Sequence, residues 1–314
     1  MTEPDSTFDS AAELLGRITE QLGTQLGHVR PYGRHPRKYE EEVRPPMNTP
    51  ALVTPPATGP DVALPAPDGP APTLVAVGHG SRDPRARATL ERLLDRVREL
   101  RPGLDVRLAH IELNAPLLDA TLAGLAAEGR DAVLVPLLFA PGHHVTHDLP
   151  AAVAAEPTLR ARVAEPLGAH PLLVEALADR LAQAGWAPED GTSPSTGVVL
   201  ASAGSRDPRS GAEIRRIATL LSERLGGAPV VSAYASAAAP TVPEAVRHLA
   251  ARGRHRVAVA SCFTAPGLFA TRATADAPWI AAAPLGAHPA LARLVLHRYD
   301  RVRTTLPMRE LAAV

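Results

Sequence analysis

Three short stretches of this 314-residue chain carry side chains able to do chemistry: His79 in GHGSRDPR, Glu112 in HIELNAP, and His143 with His144 in FAPGHHVTHDLP. Imidazole nitrogen together with carboxylate oxygen is a donor set for a borderline divalent ion such as Co(II), Fe(II), Ni(II) or Zn(II). The sequence contains neither HExxH nor CxxC, so the usual motifs of a resident zinc are missing. Two or three donors on separate segments, with the other positions open, suit an ion that must leave again. His79, His144 and Glu112 are therefore the expected metal-holding and catalytic groups, with His143 as an additional imidazole.

A lone histidine at a strand end is more often a hydrogen-bonded structural residue than a ligand, but this chain supplies its own control. SAGSRDPR, YASAAAP and TAPGLFAT repeat the three stretches in the same order. There Ala203 replaces His79, Ser236 replaces Glu112, Tyr234 replaces His110, and Leu268 and Phe269 replace His143 and His144. A fold that needed these groups would need them twice.

The frame kept in both copies asks for a different explanation. Gly80 and Gly204 allow a tight turn, and Asp83-Pro84 and Asp207-Pro208 read as a helix N-cap followed by proline at the first helical position. Backbone amides at such a helix start can bind an anion, helped by the helix dipole. Ser81, Arg82, Arg85, Arg206 and Arg209 are expected to bind substrate carboxylates there, guanidinium being well shaped for that partner. The competing reading of Arg82 is a bond to its own loop. In HVTHD, a helix beginning near Gly142 would put His144, His147 and Asp148 on one face. Asp148 then either orients His144 or serves as an N-terminal helix charge, and His147 is expected to be exposed.

The elements that must position these residues are legible from Thr73 onward. Short apolar runs (TLVAVG, DVRLAHIEL, DAVLVPLLFA, ARVAEPLGA) alternate with helical stretches (PRARATLERLLDRVREL, PLLDATLAGLAAEG, HPLLVEALADRLAQAG). Continuous Val/Leu/Ala strands separated by helices predict a parallel sheet covered on both faces, and ligands of such a sheet bind beyond the strands' carboxyl ends. GVVLASAGSRDPR, PVVSAYASAAAP, RVAVASCFTAPG and APLGAHPALARLVLHR then repeat the order, so the α/β unit is duplicated. WAPEDGTSPSTG, between the halves, has linker composition.

Residues 1–72 read differently: one amphipathic helix over Ser10–Leu26, then a Pro-rich extended stretch expected to be disordered. With 33 basic and 33 acidic residues the charge balances, which argues against a nucleic-acid partner. One cysteine, Cys262, fits a reducing compartment. The N-terminus lacks a signal-peptide pattern and no apolar run is long enough to span a bilayer, so a cytoplasmic protein with no membrane partner is expected.

GHGSRDP, HIELNAPLL and PLLFAPGHHVTHDLP, each after its strand, resemble the sirohydrochlorin chelatases, the cobalt- or iron-inserting members of the class II tetrapyrrole chelatases. The resemblance covers about residues 73–305, is strongest over 73–170, and leaves 1–72 unmatched. It implies two chelatase-like, flavodoxin-type α/β lobes with the macrocycle in the cleft between them. Residues 73–187 would be the catalytic lobe and 196–305 a degenerate second one. The family's metal-binding histidines fall on His79 and His144 and its acidic residue on Glu112, whereas a glycine is common where this chain has His143.

The implied activity is a lyase-class insertion of divalent Co or Fe into sirohydrochlorin, in cobalamin or siroheme synthesis. The ion would be a co-substrate and no permanent cofactor is implied. The partners would be a sirohydrochlorin-type tetrapyrrole and transfer partners of the tetrapyrrole pathway. Glu112 or an imidazole would accept the two displaced pyrrole protons. Two alternatives are a non-catalytic metal or tetrapyrrole carrier, and a hydrolase with Ser81 as nucleophile and His79 as base, which lacks the GxSxG elbow.

Overall fold

A computed structural model describes residues 71–303 except Asp276. The expected helix over Ser10–Leu26 and the Pro-rich stretch up to residue 70 lie outside the described residues. The first lobe runs β1 (Thr73–Gly78), α1 (Pro84–Leu100), β2 (Val106–His110), α2 (Leu118–Ala127), β3 (Ala132–Pro136), α3 (Leu149–Ala154), β4 (Ala161–Val163) and α4 (Pro171–Gln183). The second repeats it as β5 (Thr196–Ser202), α5 (Pro208–Arg224), β6 (Val230–Tyr234), α6 (Val242–Ala250), β7 (Arg256–Ser261), α7 (Leu268–Ala275), β8 (Ile280–Ala281) and α8 (Pro289–Arg303).

Each lobe is one four-stranded, all-parallel sheet, in the orders β2-β1-β3-β4 and β6-β5-β7-β8. This is the flavodoxin-type order expected of a duplicated α/β unit. Every residue of β1, β3 and β5 is buried, as continuous apolar strands require when both faces are covered. In α1, Asp83 caps the helix by accepting the Arg85 N–H at 2.9 Å, Pro84 opens it, and Leu90, Leu93, Leu94 and Val97 form its buried stripe. Asp207 and Pro208 open α5 in the same way. Among the described residues no helix is long and apolar enough to cross a membrane.

The packing departs from the sequence repeat in one respect. The last helix of each lobe covers the other lobe's sheet: α8 lies against α1 and β3, while α4 lies against α5 and β7. Leu74, Ala76 and Val133 of the first sheet consequently share one continuous core with Leu291, Val295 and Tyr299 of α8. Polar ties follow the exchange. The Tyr299 hydroxyl donates to the Pro72 carbonyl at 2.7 Å, Arg101 holds both carboxylate oxygens of Asp300, and Arg180 donates to the Leu285 carbonyl at 2.6 Å. Neither half of the repeat carries its whole core.

The stretch read as a linker is also packed. Trp186 is buried in the shared core, Pro188–Gly191 makes a short helical turn, and buried Asp190 accepts the Ala187 N–H at 2.9 Å. Its polar composition reflects a tight, capped turn, which uses the same residue types as a free linker.

Candidate functional site

The site is built on the turn after β1. Gly80 has a φ of +110°, and a Cβ built on it would stand 1.9 Å from the Glu112 carbonyl oxygen. Only glycine allows the turn after β1 to approach the loop after β2 this closely. Backbone bonds then lock the two loops together, Ile111 N–H to the Gly78 carbonyl (2.9 Å) and Glu112 N–H to the His79 carbonyl (3.0 Å). Asn114 adds a side-chain tie, its Oδ1 accepting the Ser81 N–H at 2.6 Å. Glu112 lies two residues past the end of β2, in the loop rather than at the strand end itself.

The expected catalytic set comes together on this rim. His79 Nδ1 stands 3.2 Å from Glu112 Oε1, and the His79 and His144 rings meet edge to face with centroids 4.7 Å apart. His144 Nδ1 hydrogen-bonds Asp148 Oδ2 at 2.6 Å. An ionised carboxylate can only accept, so this bond puts the His144 proton on Nδ1 and leaves the Nε2 lone pair available. Each imidazole thus has a carboxylate at Nδ1, and all four side chains are part-exposed. As the side chains stand, no group of three or more His, Cys, Asp or Glu among the described residues is arranged to hold a metal ion.

The segment His144–Asp148 is a single π-helical turn leading into α3, closed by the Leu149 N–H on the His144 carbonyl. This changes the expected faces. His144 pairs with Asp148, while His147 stacks on His143 with centroids 4.6 Å apart and 17° between planes. The Thr146 hydroxyl lies 2.8 Å from His147 Nδ1, and the expected grouping of His147 with His144 is not formed. One-turn π-bulges recur at functional sites because they re-aim side chains that an α-helix would place elsewhere.

The cationic set separates into two kinds. Arg85 is committed to its own helix cap, with Nε 3.0 Å and Nη2 2.6 Å from the two Asp83 oxygens. That pairing holds the Asp83 carboxyl down at about 2. Arg209 repeats the arrangement on Asp207, whose carboxyl is also held low, first by the Arg209 side-chain bond. A capping aspartate two residues upstream engages each of these guanidinium groups, which were expected to bind substrate. Arg82 and Arg206 are exposed and their side chains make no ion pair or hydrogen bond among the described residues, so the competing reading of Arg82, a bond to its own loop, finds no support there. The Ser81 hydroxyl oxygen accepts the Asp83 N–H at 3.1 Å. No hydrogen bond joins Ser81 to His79 among the described residues, where His79 meets Glu112 and His144.

His110 is buried beneath the rim, its Nδ1 without a partner among the described residues, and burial lowers its pKa. Asn114 was not among the sequence candidates although a signal existed: the second copy has Ala238 at that place. In that copy Gly204 repeats the close turn, a Cβ there standing 1.9 Å from the Ser236 carbonyl oxygen. The scaffold is therefore duplicated where the imidazoles and carboxylates are not.

The CbiX family model matches residues 73–184 and 197–302. A sirohydrochlorin cobaltochelatase of Priestia megaterium is 26% identical over 207 residues, 64% of this chain and 66% of the relative. A sirohydrochlorin ferrochelatase of Bacillus subtilis (strain 168) is 25% identical over 181 residues, 56% of this chain and 67% of the relative. The chain spans about two thirds of the length of both relatives. Among solved structures, SirB from Bacillus subtilis with Fe3+ is similar at a TM-score of 0.59, with 22% identity over 74% of this chain and 94% of that one. CbiX described as the terminal enzyme of siroheme biosynthesis in denitrifying bacteria is similar at 0.53, with 22% identity over 75% of this chain and all of that one.

Proposed function

Because the chain belongs to the CbiX family, we propose that it is a chelatase that inserts divalent cobalt or iron into sirohydrochlorin, with its reacting groups on the first lobe. The observation that carries the reading is the pair of imidazoles 4.7 Å apart, each with a carboxylate at Nδ1, on one lobe of a duplicated fold.

The divalent ion enters as a substrate. His79 and His144 receive it through Nε2, and neutral imidazoles are needed because only the lone pair binds metal. Asp148 fixes the His144 ring and its tautomer. The macrocycle carries many carboxylates, for which Arg82 and Arg206 supply exposed guanidinium groups from the two lobes. Insertion exchanges one M(II) for two pyrrole protons, and those protons must leave with a base. Glu112, beside His79 and part-exposed, takes them and can pass them to solvent. A pyrrole lone pair lies in the ring plane, so the ring must distort to present it to an ion held to one side. Cobalt and iron ask for the same donors, which leaves the choice between cobalamin and siroheme synthesis to the metal supplied.

The test is anaerobic insertion of Co(II) and Fe(II) into sirohydrochlorin, followed by the visible spectrum, for the parent and His144→Ala. Acceleration over the uncatalysed reaction, lost in the variant by about 100-fold or more, supports the reading. Tight binding of metal and macrocycle with no acceleration makes the protein a carrier.

A further inference from the structure

Large exposed apolar side chains among the described residues fall mostly at the loops that follow the strands. Among the described residues five large hydrophobic side chains are exposed: Leu100 (50%), Leu113 (54%), Leu117 (46%), Leu268 (60%) and Phe269 (41%). Leu100 ends α1, away from the strand ends, whereas the other four sit in the rim loops or the first turn that follows one. Scattered exposed leucines need no explanation, but a group of them around a polar site does.

Two further observations tie the group to the site. Leu113 directly follows Glu112, and its φ of +67° is shared by its counterpart Ala237 (+56°), so the loop conformation belongs to the scaffold while the apolar side chain is particular to the first lobe. A Cβ built on Gly80 would stand 3.3 Å from the Leu113 Cβ, so Leu113 belongs to the loop junction that holds His79. On the other lobe, a Cβ built on Gly267 would stand 3.2 Å from the Ser81 hydroxyl oxygen. Leu268 and Phe269, the next two residues, therefore open α7 beside the turn that carries His79. By the internal repeat they occupy the places of His143 and His144.

We infer that Leu113 on the first lobe and Leu268 with Phe269 on the second form an apolar seat for the flat ring of the tetrapyrrole, while Arg82 and Arg206 take its peripheral carboxylates. This rests on the chelatase reading. A tetrapyrrole is the occupant that fits because it combines an apolar ring face with anionic edges, and the rim loops carry exposed apolar side chains together with two exposed guanidinium groups. The loss of histidine from the second lobe then has a use of its own: one lobe supplies ligands for the ion, and the other supplies surface for the ring. Leu113, Leu268 and Phe269 are positioning residues, since they act on the ring as a body and touch neither the ion nor the protons.

The test is titration of metal-free sirohydrochlorin into the parent, the double variant Leu268→Ser/Phe269→Ser, and Leu100→Ser as a control. Binding is read from the visible spectrum, and insertion of Co(II) from its rate. The double variant should raise the dissociation constant and KM about tenfold or more, with kcat and Co(II) affinity close to the parent's and Leu100→Ser unchanged. Unchanged macrocycle binding in the double variant overturns the seat. Unchanged binding with a shift in sedimentation shows that the patch is an interface between copies, which also overturns it. A parent that neither binds nor metallates sirohydrochlorin is a failure of the chelatase reading instead. All three substituted side chains are exposed, so equal melting temperatures check that folding is intact.

Discussion

Gly80→Ala and its twin Gly204→Ala separate scaffold from chemistry, because the same substitution meets the same obstacle in both lobes. Gly80 and Gly204 have φ of +110° and +95°, and in each case a Cβ would stand 1.9 Å from a carbonyl oxygen, of Glu112 or of Ser236. Alanine at such a φ costs about 1–3 kcal/mol, and backbone contacts below 3.0 Å do not persist, so each loop must retreat by about 1 Å. For a body of this size a loss of that order lowers the melting temperature by roughly 2–10 °C, and the two variants should lose similar amounts. Their kinetics should diverge. In the first lobe the retreat drags Glu112 and stretches its 3.0 Å bond to the His79 carbonyl, displacing two reacting groups together. A displacement of about 1 Å costs on the order of 100-fold in rate, so Gly80→Ala should lose about that much kcat for Co(II) insertion. In the second lobe the turn carries Arg206 and the capping Asp207 but no counterpart of His79 or Glu112, so KM should rise while kcat stays within about threefold of the parent. Thermal melts alongside anaerobic insertion kinetics decide the matter. Equal kcat losses in the two variants, or a Gly80→Ala enzyme as fast as the parent despite its lowered melting temperature, would refute the assignment of the reacting groups to the first-lobe loops.

Three further outcomes are expected. Asp148→Asn should keep the fold but lower kcat by about 10–100-fold and change the pH–rate profile, because an amide no longer fixes the His144 tautomer; an unchanged profile removes Asp148 from the site. Burial lowers the pKa of His170, His288 and His297 below their ordinary value, so the unfolded chain takes up more protons than the folded one. The stability these groups contribute is full above a pH of about 6.5 and is lost as pH falls below it, so melting temperatures should drop between pH 7.5 and 5.5, and less so in His297→Gln. The isolated stretch 73–187 should show no cooperative melt by circular dichroism, because it lacks α8, which covers α1 and β3 in the whole protein; a cooperative transition there would count against the exchanged helix as a requirement for folding.

Much of this molecule was legible before any coordinates. Continuous apolar strands admit little besides a sheet covered on both faces, Asp-Pro pairs start helices for local reasons, and an internal repeat reports duplication directly. The repeat also singled out His79, Glu112 and His144, because comparing two copies of one scaffold isolates the residues the scaffold does not need. Asn114 differs between the copies in the same way. What the tertiary structure alone decided depends on partners distant in sequence or on local backbone geometry. A buried stripe on α8 states that the helix is covered, but hydrophobic burial has no direction, so the pattern is silent on which lobe covers it. Asp148 on His144 was legible as an i,i+4 pair, whereas the π turn and the stacking of His147 on His143 were not, because a π turn differs from an α turn by one hydrogen-bond register, which composition does not encode. Arg82 and Arg85 look alike in sequence, but the Asp83 carboxylate, already capping α1, takes Arg85, while Arg82 has no side-chain partner among the described residues.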